Sequence, residues 1–233
     1  MDSREEQKRL AAFQAVAHLT SGMVVGLGTG STARFALERI AAKIREGELK
    51  NLLGIPSSRQ TEELALALAI PLTTLDEHPE IDLTIDGADE VDMDLNLIKG
   101  GGGALLREKV LAQASNRLIV IVDESKRSKR LGTQWALPVE VLPFARQVEE
   151  NYMKSLGAAV TLRPGPDGRP FRTDEGNYIV DADFGPIQDP VALSRMLNER
   201  AGIVEHGLFI GLAAEVIVAG KEGVQQILRN RST

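Results

Sequence analysis

The chain has 233 residues, 43% hydrophobic and 26% charged, with a formal net charge of -6 and no cysteine. That length allows a sizeable core in one large domain or two modest ones. The acidic balance argues against nucleic acid as the main partner, and the missing thiols exclude disulfides, a thiolate nucleophile and a sulfur-ligated metal.

The opening Met1-Asp2-Ser3-Arg4-Glu5-Glu6 mixes both charge signs and lacks an apolar signal core. Nowhere do 18 apolar residues run together, so no membrane partner and a cytoplasmic location are expected. Leu10, Phe13, Val16 and Ala17 recur at helical spacing and predict a helix over residues 4–18. A short apolar strand at 23–25 runs into the turn 26–32, followed by a helix over 33–46. A second strand (52–55) and helix (61–69) follow, then a strand at 81–85, a helix at 104–114 and a fully apolar strand at 118–122. Strands alternating with helices predict a mostly parallel, Rossmann-like α/β sheet wound on both faces.

The pattern then changes. Strand (137–142), helix (145–156), strand (158–163), strand (177–183), a helix opening at Asp189-Pro190 and a strand at 203–210 follow in turn. This βαββαβ order is the split, ferredoxin-like α+β motif. Asp189 suits an N-cap and Pro190 a first helical turn. A last strand (215–219) and a helix (223–228) return to the first domain. The expected domains are thus 1–130 plus 211–233, Rossmann-like and catalytic, and 131–210, the smaller α+β unit.

Three loops carry chemistry. In Gly28-Thr29-Gly30-Ser31-Thr32, between a strand and a helix, glycine amides, hydroxyls and a helix N-terminus can all bind phosphate. The plain alternative is a tight turn. A dinucleotide fingerprint is the sharper rival, because the run through Ala33 fits G-x-G-x-x-A. That site needs an acid at the next strand end, where the chain has Gly54-Ile55-Pro56-Ser57-Ser58 instead. A Walker loop fails for want of Gly-Lys-Ser/Thr. The second loop, Asp86-Gly87-Ala88-Asp89-Glu90-Val91-Asp92-Met93-Asp94, lacks the EF-hand order. Asp86 and Asp89 are the candidate site groups; Glu90, Asp92 and Asp94 read as solvated or structural. The third loop runs Lys99-Gly100-Gly101-Gly102-Gly103 into a helix bearing Arg107 and Glu108. Four successive glycines are entropically costly for a mere linker, and Lys99 adds a positive charge. Glu108 by itself reads equally well as a paired surface residue. His18, His78 and His206 are isolated and show no metal or triad spacing.

Taken together, the DGADE and KGGG…REK stretches, with Gly26-Leu27-Gly28-Thr29-Gly30-Ser31-Thr32-Ala33, Asp123-Glu124-Ser125-Lys126 and Leu137-Pro138-Val139-Glu140-Val141, give a chain that resembles the type A ribose-5-phosphate isomerases. The resemblance runs along nearly the whole sequence. It implies interconversion of ribose 5-phosphate and ribulose 5-phosphate in the non-oxidative pentose phosphate pathway, without metal or organic cofactor, by a homodimer or homotetramer. It implies substrate contacts from Thr29, Gly30, Ser31 and Thr32, from Asp86, Gly87, Ala88 and Asp89, from Lys99, Gly100, Gly101 and Gly102, and from Lys126. Glu108 matches the family's catalytic base; Lys99 is the candidate oxyanion partner and Asp86 the candidate for assisting ring opening. Gly103 and Leu106 stand where alanine and threonine are expected. Two rivals share this architecture. A sugar-phosphate-sensing regulator domain would need a DNA-binding helix-turn-helix and basic surface, and a coenzyme A transferase-like enzyme would use its glutamate as nucleophile.

Overall fold

A computed structural model describes residues 4–229. In chain order the elements are α1 (Arg4–Val16), β1 (Val24–Leu27), α2 (Ser31–Arg45), β2 (Leu53–Pro56), α3 (Arg59–Ala67), β3 (Leu83–Asp86), β4 (Glu90–Val91), β5 (Leu97–Ile98) and α4 (Leu105–Ala114). There follow β6 (Leu118–Asp123), β7 (Leu137–Val141), α5 (Arg146–Ser155), β8 (Ala159–Leu162), β9 (Tyr178–Asp183), α6 (Pro190–Asn198), β10 (Ile203–His206), β11 (Leu208–Phe209), β12 (Glu215–Gly220) and β13 (Gly223–Leu228). Short 3-10 turns at Glu124–Lys126 and Pro143–Ala145 extend β6 and introduce α5. Among the described residues no helix is long and apolar enough to cross a membrane.

The chain forms two compact units. One runs to Ala88, resumes over Arg107–Lys126 and returns from Gly211 on; the other is Asp89–Leu106 with Arg127–Ile210. The crossings at Ala88/Asp89 and Leu106/Arg107 are absent from the boundaries read off the sequence, which leave residues 89–106 in the first domain. Their cause is a small sheet in the order β11-β5-β4, which pairs Leu97 and Ile98 with Phe209 and Leu208 and so assigns both short strands to the second unit.

The first unit is built on a six-stranded sheet in the order β13-β12-β6-β3-β1-β2. All neighbours are parallel except the edge pair β12 and β13. β6 is buried at every position, as a strand covered on both faces should be. The buried stripe of α1 is Ala11, Ala12, Ala15 and Val16, small side chains that let the helix approach the sheet closely. This is not the stripe expected from spacing. Phe13 is only half buried, with the guanidinium groups of Arg9 and Arg39 within 5.1 and 5.5 Å of its ring centre.

Two expectations need correction here. Residues 223–228 form a strand, not a helix: Gly220 pairs with Gly223 across a two-residue turn, and Gly223 takes φ +116°. The turn brings the segment back onto the open side of β12, and six residues are too few to sustain a helix against that pairing. The strand expected over 203–210 is broken at Gly207. β10 pairs with β7 while β11 pairs with β5. A Cβ at Gly207 would fall 2.3 Å from the carbonyl oxygen of Lys99, so only glycine lets that backbone pass.

The second unit holds the antiparallel sheet β10-β7-β9-β8 with α5 and α6, the ferredoxin-like order. Asp189 caps α6 by accepting from the Ala192 amide at 2.9 Å. Val139, Val141, Val180 and Ala182 enter one core with Met153, Leu193 and Leu197 from the helices. Alternate residues face the other way. One of them, Glu140, is buried and accepts from the Thr173 hydroxyl at 2.8 Å and the Asn177 amide at 2.9 Å.

Burial holds the Glu140 carboxyl above its ordinary range, although both hydrogen bonds act to lower it. A carboxyl raised in the folded state contributes stability below its unfolded pKa and loses that contribution as pH rises through the folded value. The Glu140→Gln protein should therefore gain on the wild type as pH is raised from about 4 to 8, by a few degrees in Tm. Thermal melts with a pH-independent difference between the two would refute this.

Candidate active site

In the first unit, β1, β3 and β6 are adjacent and parallel, so the segments following them emerge at one edge of the sheet. The chain goes from β1 to β2 on one side and returns to β3 on the other, which makes the β1–β3 junction a switch point, the usual ligand crevice of open α/β sheets. Asp86 ends β3 there, 1% exposed. Its Oδ1 accepts the Thr29 amide at 3.1 Å and the Gly87 amide at 2.7 Å. Gly28 makes this possible, because a Cβ there would lie 2.2 Å from that oxygen and 2.6 Å from the Asp86 Cα.

The Thr29 hydroxyl lies within a knot of hydroxyls: Ser57 and Ser58 Oγ at 2.8 Å and Thr61 Oγ1 at 2.9 Å. Thr61 in turn donates to the Gly28 carbonyl at 3.0 Å, and Ser58 caps α3 by accepting the Thr61 amide at 3.0 Å. The Thr29 side chain thus ties the first loop to the start of α3. Gly30 is the N-cap of α2 at φ +103°, a conformation glycine tolerates, and no side chain caps the helix there. The 15-residue helix directs its first-turn amides, from Ser31 on, to the same edge. A cleft of about 300 Å³ beside them is lined by Gly28, Gly30, Ser31, Arg34, Gln60 and Thr61.

Glu108 lies in the first turn of α4 and is 6% exposed. The last turn of α4 is fixed at the opposite sheet edge, where the Ala114 carbonyl accepts from Ile81 at 2.9 Å and Ser115 meets Thr84 at 2.6 Å. From Ala114 back to Glu108 is six residues, about 9 Å of helix rise, so Glu108 stands part of the way from that edge toward the one that holds Asp86. Lys126 closes the short turn after β6, shaped by Asp123, which accepts from the Ser125 amide at 3.0 Å and from its hydroxyl.

In the second unit, the Asp89 carboxylate accepts the Gly101 amide at 2.7 Å, and a Cβ on Gly101 would reach 2.6 Å from it. Lys99 is 3% exposed; its amide donates to the Gly207 carbonyl at 2.9 Å and its ammonium stands 5.4 Å from the centre of the Phe209 ring. Gly100 and Gly103 take φ +100° and +79° and close a turn through a 2.9 Å bond from the Gly103 amide to the Gly100 carbonyl. At Gly103 an added Cβ would fall 2.4 Å from the Phe171 ring, which accounts for glycine where alanine was expected. Nothing in the structure explains Leu106.

Glu90 is wholly buried and structural: its two oxygens accept the amides of Gly132, Thr133, Gln134 and Trp135 at 3.0–3.2 Å. Asp92 likewise caps its own turn through the Asp94 and Asn96 amides at 2.9 and 2.8 Å. Among the described residues no group of three or more histidine or acidic side chains is placed to hold a metal ion. Sequence reasoning missed Ser57, Ser58 and Thr61, which the Ser-Ser-x-x-Thr spacing before α3 could have flagged as a cap. It also missed Arg163, Phe171 and Gly207, for which no local signal exists.

Residues 53–223 match the family described as ribose 5-phosphate isomerase A (phosphoriboisomerase A). A ribose-5-phosphate isomerase A from Desulfatibacillum aliphaticivorans is 59% identical over 227 residues, 97% of this chain and 99% of that protein. One from Chloroflexus aurantiacus is 55% identical over 225 residues, 97% and 94% of the two. Among solved structures, a D-ribose-5-phosphate isomerase in complex with phospho-erythronic acid superposes with a TM-score of 0.96 at 39% identity, covering 97% of this chain and all (100%) of the other. The ribose 5-phosphate isomerase A of Methanocaldococcus jannaschii gives 0.92 at 41% identity, with 97% and 100% covered. Matched in sequence and in fold along nearly its whole length, this chain belongs to the ribose-5-phosphate isomerase A family.

Proposed function

We propose that this isomerase interconverts ribose 5-phosphate and ribulose 5-phosphate through an enediolate, with Glu108 carrying the proton between C2 and C1. A carboxylate can take the proton from one carbon and return it to the next without a separate acid, and such general-base catalysis contributes about 10²–10⁴-fold. The observation that carries this reading is a buried glutamate in the first turn of α4, the helix that opens directly after the Gly100–Gly103 run.

Negative charge developing on the enediolate oxygen needs donors fixed beforehand. Lys99 and the Gly100 and Gly102 amides supply them, while the Gly101 amide is spent on Asp89 and holds the turn. Asp86 assists opening of the furanose ring, and Asp89 holds sugar hydroxyls. Ser31, Thr32, the first-turn amides of α2 and Lys126 are the groups suited to the phosphate. Gly30, Gly87 and Ala88 complete the contacts through their backbone, while Thr29, its amide held by Asp86, contributes the placement of its loop. A relative that binds phospho-erythronic acid supports this scheme. With the phosphates aligned, the planar carboxylate of that four-carbon acid falls at C2 with one oxygen at the enediolate O2, and a site tuned to the intermediate binds such a planar anion well. On the same family likeness, the enzyme works as a homodimer or homotetramer in the cytoplasm, without a cofactor.

The Glu108→Gln protein keeps the shape and loses the base. Its turnover of ribose 5-phosphate should fall at least about 10²-fold while substrate still binds by calorimetry; near-normal turnover in the folded variant removes Glu108 from the role. Wild-type turnover should survive prolonged chelation, and a chelator-dependent loss restored by added divalent ions would overturn the cofactor-free scheme. Light scattering should give two or four times the 25.2 kDa chain mass, and a monomer at micromolar concentration would contradict the assembly.

A further inference from the structure

Arg163 leaves the end of β8 on the sheet face opposite the α5/α6 core, the face that also carries Pro138 and Asp181. Its side chain is 14% exposed, and four of its five N–H donors are engaged within the protein. Nε and Nη2 fork onto the two oxygens of Asp181 at 3.0 and 2.5 Å. Nη1 donates to the Gly100 carbonyl at 2.8 Å and to the Gly101 carbonyl at 3.1 Å. The same guanidinium lies 5.9 Å from the centre of the Phe171 ring, whose edge fills the space that a side chain at Gly103 would need.

These contacts fix peptide planes. The described chain has no cis peptide, so each C=O points opposite to the N–H of its own peptide unit. Between Gly100 and Gly101, the carbonyl is held by Arg163 and the amide by Asp89, so both ends of that unit are pinned. Between Gly101 and Gly102, Arg163 holds the carbonyl and thereby turns the Gly102 N–H away from itself. Four glycines could otherwise rotate these planes freely.

We propose that Arg163, braced by Asp181, is a positioning residue that sets the orientation of the Gly100–Gly102 peptides and so aims the Gly102 amide at the enediolate oxygen. The inference rests on the isomerase reading above and extends it to a residue that does not itself touch the sugar. A lysine cannot replace it, because one ammonium cannot hold the Asp181 fork and two carbonyls together.

The test compares wild type, Arg163→Ala, Arg163→Lys and Asp181→Asn in steady-state turnover of ribose 5-phosphate. In Arg163→Ala, kcat should fall about 10- to 100-fold with KM within about threefold, since ground-state contacts stay while a transition-state donor is misdirected. Guanidinium ion at about 10–50 mM should restore kcat several-fold in that variant and leave wild type unchanged, a rescue no loss of general stability would show. Arg163→Lys should fall between wild type and alanine. A folded alanine variant with kcat within about twofold of wild type, or a loss of kcat without rescue, overturns the proposal. If the alanine variant does not fold, Asp181→Asn decides: lowered kcat at constant KM supports the clamp and unchanged kcat refutes it. If wild type itself makes no ribulose 5-phosphate, the isomerase reading fails separately. The clamp is then judged without substrate by the ¹⁵N amide resonances of Gly101 and Gly102, which must move in Arg163→Lys; unmoved resonances reject it.

Discussion

The sheet-edge chemistry of the first unit depends on one close approach, that of the Gly28 backbone to the Asp86 carboxylate. A buried carboxylate is costly unless its oxygens are met by donors, and here two backbone amides from successive loops meet one oxygen. Hydrogen bonds to a charged acceptor are worth about 1.5–3 kcal/mol each, so the arrangement both pays for the burial of Asp86 and locks the β1 and β3 loops in register. A methyl group at position 28 would part the loops and break the bond from the Thr29 amide to that carboxylate. The hydroxyl knot around Thr29 extends the same constraint to the start of α3.

The second unit solves a related problem by a different route. Its glycine turn has no side chains with which to hold itself, so beyond the one internal bond from Gly103 to Gly100 its order comes from neighbours: Asp89 on an amide, Arg163 on two carbonyls, Phe171 against Gly103 and Gly207 beside Lys99. The acidic run divides accordingly. Asp89 grips the turn, while the adjacent Glu90 collects four amides of the 132–135 segment. Neighbouring carboxylates thus serve separate pieces of the unit.

Much of this was legible in the sequence. The alternation of apolar strands with helices, the βαββαβ order and the Asp189-Pro190 cap rest on local periodicity and capping chemistry, and the elements stand where those rules put them. Two of the expected loops follow β1 and β3 at the carboxyl edge of the parallel sheet, whereas the glycine run follows β5 in the second unit. What could not be read depends on long-range pairing. β4, β5 and β11 are two residues each, too short for any period, and only their mutual hydrogen bonds assign residues 89–106 to the second unit. The turn at Lys221–Glu222 outweighed weak helical propensity in 223–228 because an unpaired side of β12 was waiting for it. Arg163 carries no motif, and its partners at Gly100, Gly101 and Asp181 lie 18 to 63 positions away.

The order of the large sheet also bears on how the protein is made. β6, apolar along almost its whole length, is flanked by β3 and β12, and β12 comes from residues 215–220, translated only after the whole of β7 to β11. Until those residues leave the ribosome, one side of β6 has no strand to satisfy it, and such an open apolar margin invites pairing with other nascent chains. Rapid closure by the β12–β13 hairpin, or shielding by a chaperone until it arrives, becomes a requirement of biosynthesis imposed by strand order alone.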